Sequence, residues 1–419
     1  MKQILLKILS LMARRIIQKH NPKVIGITGS VGKTSSRQAI AVVLGEHFQV
    51  RSSEKNYNNE FGVPFTIIGV DSPGRNPLLW LWVFMKGSVY ALFSLNYPEV
   101  LVLEMGIDRV GDMDHLLDIV TPDVGVITSI GDSHYEYFNS HDVIEREKGR
   151  LAERLADTGV LVLNVDSPVV AKQRLKSRAN FVGFGKSEEA SVKLLSVKVH
   201  FEEDIKSDLV IEYIGETFEV SIFAVGQPHV FAALSGVSVG LSMGLEVADI
   251  RRGLLLYVPV PGRQNALVGI NDSILLDDTY NASPESVLAS LKTLTELPGK
   301  RKIAVLGDML ELGEISDLRH KEIGKQVVKM HIDFLVTVGE QAKLIAESAI
   351  EQGFTEDNLR VYRDTFSAVY FLQEHIEAGD CVLVKGSQGM RMEKISKELL
   401  ADQSLAGEVL CRQYGKWVA

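Results

Sequence analysis

Short runs of Val, Ile and Leu, each closed by polar residues and Gly, alternate with longer amphipathic segments along nearly the whole chain. This alternation limits the fold more than any other feature. Strands apolar on both sides must be buried on both faces, and helices that return the chain between parallel strands supply that cover. The class is therefore α/β with a mainly parallel sheet. A first series of strands is expected at Val24–Thr28, Val100–Glu104, Val124–Ser129 and Val160–Asn164. A second follows at Ile274–Asp277, Lys302–Leu306, Phe334–Val338, Arg360–Tyr362 and Cys381–Val384. Between them, residues 191–223 alternate in the manner of half-exposed strands, His229 to Leu241 reads as a helix, and Pro259, Pro261 and Gly262 read as a linker. Two domains are expected, at 23–262 and 263–419. Their chemistry should gather at the carboxyl ends of the strands.

Two apolar segments bear on membrane contact. Residues 1–22 form an amphipathic helix carrying Lys2, Lys7, Arg14, Arg15 and Lys19 and no acid. No small-residue cleavage site follows it, so it is read as packing on the next domain or lying on a membrane surface, not as a secretory signal. The insert 77–97 is broken by Lys86, Gly87 and Ser88 before it reaches the length of a membrane span. Burial is the default for it, with a peripheral membrane or protein contact through 1–20 and 77–97 as the alternative. A formal charge of −9 argues against nucleic acid as a partner. Two cysteines, Cys381 and Cys411, exclude a disulfide framework and a four-thiolate zinc insertion, and they suit a reducing, cytoplasmic compartment.

The strand VIGIT runs into GSVGKTSS and then into a helical stretch. Loop N–H groups and the positive end of a helix dipole would converge there on phosphate. Gly29, Ser30, Val31, Gly32, Lys33, Thr34 and Ser35 form the candidate loop, with Lys33 reaching the β- and γ-phosphates and the Thr34 hydroxyl meeting Mg²⁺. The usual spacing asks for Gly where this chain has Ile27, with Gly26 and Gly29 on either side, so the loop is a variant. A plain turn with a chance GKT is outweighed by the flanking strand and helix. An ATP or GTP site is expected.

Eight segments then occur in an order that resembles the Mur ligase family: TGSVGKTSS at 28–36, NYNNEFGVP at 56–64, LEMG at 103–106, SIGDSHYEYF at 129–138, EKGRL at 147–151, DDTYNASPES at 277–286, GDMLELGE at 307–314 and KGSQGMRME at 385–393. Within that family they are most similar to the branch that adds a D-alanyl-D-alanine dipeptide. The resemblance implies a central P-loop ATPase domain with a mainly parallel sheet and a C-terminal Rossmann-like α/β domain. It implies a ligase that joins a carboxylate to an amine through an acyl phosphate in peptidoglycan precursor synthesis, with ATP and two Mg²⁺ as cofactors. The small-molecule partners would be an amino acid or dipeptide and a muramyl-peptide carboxylate acceptor.

By resemblance, Lys33, His134 and Lys148 are catalytic; Thr34 and Glu104 hold one Mg²⁺; His134 and a carbamylated Lys148 serve further metal ligation. Arg263, Asn281, Asp277 and Asp308 would contact or orient ATP, with Asp278 beside them. Asn56, Asn58, Asn59, His320, Lys385 and Ser387 would face substrate. Without the resemblance, Lys148 within EREKGR reads as a solvated helix residue, and Glu147 is left as surface charge. For Asp278 and His320 a helix cap or surface position is an equal alternative. Ser283 stands where the family more often has Asn, and the chain begins at what resembles the helix after the family's UDP-binding domain. Two other readings stay open: a Mur-like ligase for another polymer, such as a poly-glutamate or cyanophycin-like chain, and a non-catalytic nucleotide-binding partner protein.

Overall fold

The computed structural model describes residues 2–53, 57–93, 95–133, 135–138, 140–201 and 205–417. Among these, nine strands build a first sheet: β1 (Lys23–Thr28), β2 (Val50–Ser52), β3 (Val100–Glu104), β4 (Val124–Ile127), β5 (Val160–Asn164), β6 (Asn180–Gly185), β7 (Val192–His200), β8 (Lys206–Tyr213) and β9 (Glu216–Ile222). Their order is β2-β3-β1-β4-β5-β6-β7-β8-β9, parallel through β7 and antiparallel over β7–β8–β9. After the last helix of this part, Val247–Leu255, the chain passes Pro259 and Pro261 to a second sheet. That sheet comprises β10 (Asn265–Val268), β11 (Ile274–Asp278), β12 (Lys302–Gly307), β13 (Phe334–Val338), β14 (Leu359–Tyr362) and β15 (Cys381–Lys385), in the order β10-β11-β15-β12-β13-β14. Only the β10–β11 pair is antiparallel among its pairings.

Strand alternation divides each sheet between two cores. In β3, Val100 and Val102 face a core shared with Ile40 and Val43 of α2 (Lys33–Gly45), while Leu101 and Leu103 face the opposite one. That second core is covered in part by α1 (Lys2–His20), α3 (Gly62–Ile68) and α4 (Pro77–Leu92). In the second sheet Leu276 and Leu383 face one core, and Leu275, Val382 and Val384 the other.

Three strands escape the sequence pattern. β2 is only VRS, half-buried at a sheet edge; β6, NFVGFG, mixes Gly and Phe and so lacks the aliphatic run that marks a buried strand; β10, NALV, is a partly exposed edge. The insert is also corrected. Residues 77–92 of it form one helix, α4, which is not buried: of the helix only Val83 and Gly87 are, while Leu81 is 65% exposed and Trp82 49%; past the helix, Tyr97 is buried. A helix apolar all round reads as an interior one, but the second core meets only a single stripe of α4, which lies alongside α1. None of the described helices is long and apolar enough to cross a membrane.

Candidate active site

The loop 29–35 leaves β1 where β1 lies between β3 and β4, the kind of switch point at which open α/β sheets hold ligands. The end of β4 clamps it. Ser30 N–H donates to Ser129 O at 3.0 Å, Val31 N–H to Ser129 Oγ at 2.7 Å, and Thr128 Oγ1 to Val31 O at 2.6 Å. Gly29 passes so close to the Thr128 hydroxyl that a Cβ there would overlap it, and Gly32, with φ 89°, turns the chain into α2. The first N–H groups of α2, which no helix can satisfy internally, therefore open on a cleft walled by Ser30, Val31, Gly32, Thr34 and Ser35. Lys33 Nζ donates to Gly29 O at 2.6 Å. Burial lowers its pKa, the Glu104 carboxylate opposes the shift and Arg263 adds to it. Gly29→Ala is expected to strain the loop by about 1–3 kcal/mol and weaken ADP binding about tenfold or more, measured by titration calorimetry.

Thr34 Oγ1 donates to Glu104 Oε2 at 3.1 Å, and Asn58 Nδ2 reaches Glu104 Oε1 at 3.4 Å. Arg37 Nε lies 3.9 Å from the same carboxylate. A hydroxyl and a carboxylate at the phosphate loop fit Mg²⁺, which takes few protein oxygens and fills its shell with water and phosphate. His134 and Asn56 lie outside the described residues. Lys148 is not a solvated helix residue. It is 2% exposed, without a hydrogen-bond partner among the described residues, and burial together with the Lys33 charge lowers its pKa far below that of a free lysine. Glu147 is corrected too: it is buried, and its Oε1 accepts from Gly111 N–H and Met113 N–H, both at 2.9 Å, at the start of the helix Asp112–Ile119.

The second sheet closes the cleft with its own strand ends. Asp278 on β11 lies beside Lys385 on β15, and Lys385 Nζ donates to Asp278 Oδ2 at 2.7 Å and to Asn281 O at 3.0 Å. Burial lowers the Lys385 pKa against the pull of Asp278. Arg263, stacked 4.0 Å over the Tyr280 ring with its Nε buried and without a hydrogen-bond partner among the described residues, shares this wall with Asn281. Ser283, the departure from the family pattern, caps the helix Pro284–Glu296 in a reciprocal pair with Ser286. Asp278 is thus no helix cap.

Five expected contacts are turned elsewhere. Asp277 faces the side of β11 away from Asp278, accepting from Ser396 Oγ at 2.6 Å and Thr279 Oγ1 at 2.8 Å, and burial pushes its pKa up to about 6. Asp308 Oδ1 accepts from Ala342 N–H at 2.7 Å and tethers the start of the helix Lys343–Glu351. Ser387 Oγ donates to Ala282 O and accepts from Leu310 N–H, tying two loops together. Asn59 Oδ1 accepts from Phe61 N–H and Gly62 N–H at the start of α3. His320 is fully buried, with Nε2 accepting from Met309 N–H at 3.0 Å and Nδ1 donating to Ser316 O at 2.8 Å; burial lowers its pKa. Both ring nitrogens are used, so His320 is neither a surface residue nor free for substrate. His320→Ala is expected to cost about 2–4 kcal/mol in a denaturant melt while leaving the KM for the amine unchanged.

Residues 87–240 match the Mur ligase middle domain, and residues 262–388 match the domain described as Mur ligase, glutamate ligase domain. A UDP-N-acetylmuramoyl-tripeptide–D-alanyl-D-alanine ligase of Bacillus subtilis is 30% identical over 93% of this chain and 78% of its own length. The chain belongs to the Mur ligase family. A ligase of the same description from Synechocystis is 28% identical over 92% of the chain and 76% of its own length. Two solved structures are similar throughout: MurF from Acinetobacter baumannii (TM-score 0.79, 25% identity, 94% of this chain and 80% of that one) and MurF from Thermotoga maritima in complex with ADP (TM-score 0.78, 26% identity, 94% and 83%).

Several residues of this Mur ligase that shape the cleft carry no distinctive sequence signal of their own. Thr128 and Ser129 clamp the loop only because β4 pairs with β1. Asp132, inside the quoted SIGDSHYEYF segment, meets His141 at 3.0 Å and Arg319 of the helix Ser316–Lys329 at 2.6 Å. Its N–H donates to Glu285 Oε1 at 2.7 Å. The Arg319 and Glu285 contacts join the two sheets' layers across the cleft. Those two partners lie more than a hundred positions from Asp132, which leaves periodicity nothing to detect.

Proposed function

We propose that this Mur ligase uses ATP to activate the carboxylate of a muramyl-tripeptide precursor and couples it to D-alanyl-D-alanine, forming an amide bond in peptidoglycan precursor synthesis. The observation that carries the reading is the cleft itself, where the loop 29–35 and the Thr34–Glu104 pair face Arg263, Asn281, Asp278 and Lys385. The central unit would span 23–262 and the C-terminal unit 263–419, acting in the cytoplasm.

The acceptor carboxylate attacks the γ-phosphorus and ADP leaves. The amine then attacks the acyl phosphate carbon, loses a proton, and expels phosphate from the tetrahedral adduct. Negative charge sits on phosphoryl oxygens in both steps, so fixed cations and aligned N–H groups lower the barrier. Lys33 and the α2 N-terminus would hold the β- and γ-phosphates, with Arg263 and Asn281 on the nucleotide. Thr34 and Glu104 would bind one Mg²⁺, and His134 and Lys148 would serve a second. When bound, these ions neutralise charge on the transferred phosphoryl group. A carbamate on Lys148, formed from its free amine and CO₂ with release of one proton, would place an anion beside Lys33, where burial otherwise favours a neutral amine. Lys385 would stand closer to the nucleotide wall than to the amine.

The test is incubation of the full chain with ATP, Mg²⁺, UDP-N-acetylmuramoyl-tripeptide and either D-alanyl-D-alanine or L-glutamate, with product followed by mass. Product with the dipeptide and not with L-glutamate is expected. Product with L-glutamate alone would move the chain to polymer elongation; phosphate release with neither would overturn the reading. Folylpolyglutamate synthase of Mycobacterium tuberculosis, at 16% identity and TM-score 0.67, shares the fold and no more.

A further inference from the structure

The helices α1 and α4 lie side by side on the core of the first sheet. Gly87 lets α4 approach Met12 of α1 so closely that a Cβ would overlap the Met12 methyl group. His20 at the end of α1 bonds Tyr90 O at 2.8 Å and stacks on Tyr97. Leu9, Ala13 and Ile16 of α1 and Val83 of α4 point into one shared core. Their opposite stripes consequently face solvent on the same side of the molecule. Ile4, Ile8 and Leu11 of α1 and Leu81, Trp82 and Met85 of α4 are exposed there, Leu11 to 59%. Neither helix contributes to the walls of the ATP cleft.

The charge on this face runs against that of the chain. In a protein of net charge −9, α1 and α4 contain no acidic residue. Lys7, Arg14 and Arg15 are exposed at positions that interleave with Ile4, Ile8 and Leu11 around α1, and none of the three has an ion-pair partner among the described residues. A symmetric contact between two copies would set these cations against themselves, because an isologous interface opposes each patch to its own image. Lys2 at the start of α1 meets Glu60 at 3.4 Å, but the two helices otherwise present apolar side chains and unpaired cations with no acid of their own, which matches a bilayer with anionic headgroups, where apolar side chains enter the acyl boundary and cations meet phosphates.

We propose that the outer face of α1 and α4 docks this chain on the surface of an anionic membrane, with Trp82 at the headgroup level and neither helix crossing. The inference stands apart from the ligase reading and does not depend on it.

The experiment is flotation of the full chain with vesicles of phosphatidylcholine alone and with vesicles of seven parts phosphatidylcholine to three parts phosphatidylglycerol. Binding about tenfold tighter or more to the anionic vesicles is expected, weakening as salt rises from about 0.1 M to about 1 M and the Debye length falls from about 10 Å to about 3 Å. Tryptophan emission should shift to the blue on binding, and Trp82→Phe should remove most of that shift. The pair Arg14→Glu, Arg15→Glu should abolish flotation with an unchanged melting curve and unchanged ADP affinity, as should Leu81→Ser combined with Trp82→Ser. Equal binding to both vesicle types, flotation that survives the Arg reversals, or absence of flotation together with a dimer that the Ser variants dissolve would each overturn the proposal.

Discussion

Lys33→Ala is expected to lower kcat about 10³-fold, close to 4 kcal/mol of transition-state stabilisation, because it removes the fixed cation beside the transferred phosphoryl group. The melting curve should move little. The side chain is only half-buried, and its Nζ holds the carbonyls of Gly29 and Ser30 at 2.6 and 3.5 Å, a contribution of about 1 kcal/mol. Phosphate release at saturating substrates, measured beside a thermal melt, checks both halves. Turnover within tenfold of the parent would remove Lys33 from the phosphoryl-transfer step.

The second large effect belongs to Lys148. Its amine is buried within the electrostatic reach of Lys33 and lacks a hydrogen-bond partner among the described residues, a costly position for an ammonium. As a free amine it is the form that reacts with CO₂. Lys148→Ala should lose about 10²–10³-fold in turnover while its melting temperature holds or rises. Acetate or formate should restore part of the activity by returning an oxygen ligand, and the parent enzyme should slow in CO₂-depleted buffer. Rescue by a small amine and none by carboxylates would assign the ammonium itself, not a carbamate, to the reaction.

Much of the architecture could be read from the chain, for local reasons. A fully buried parallel strand must be an aliphatic run, and VLVLE and CVLVK are buried at every position. A strand running through GSVGKT into a helix gathers loop and helix N–H groups in one place, so the loop 29–35 and its lysine could be picked out as the candidate phosphate site before any contact was known. The Thr34–Glu104 pair followed from motif order, and the structure brings the two within 3.1 Å.

Tertiary structure alone decided which polar residues face the cleft. Asp277 and Asp278 are neighbours in sequence, but a strand turns successive side chains to opposite faces, so one meets Lys385 and the other Ser396. His320, Asp308, Ser387 and Asn59 sit in motif-like surroundings, yet their partners are nearby backbone groups, whose satisfaction depends on where loops come to rest. Lys148 and Glu147 look like one charged helix surface in EREKGR, and both are buried because the helix His141–Glu153 lays that side against the sheet and the turn at Gly111. The exposure of α4 likewise depended on α1 lying alongside it. Sequence determines which groups a chain can offer and the period with which they recur; long-range packing determines which of them water, ligand or another side chain will meet.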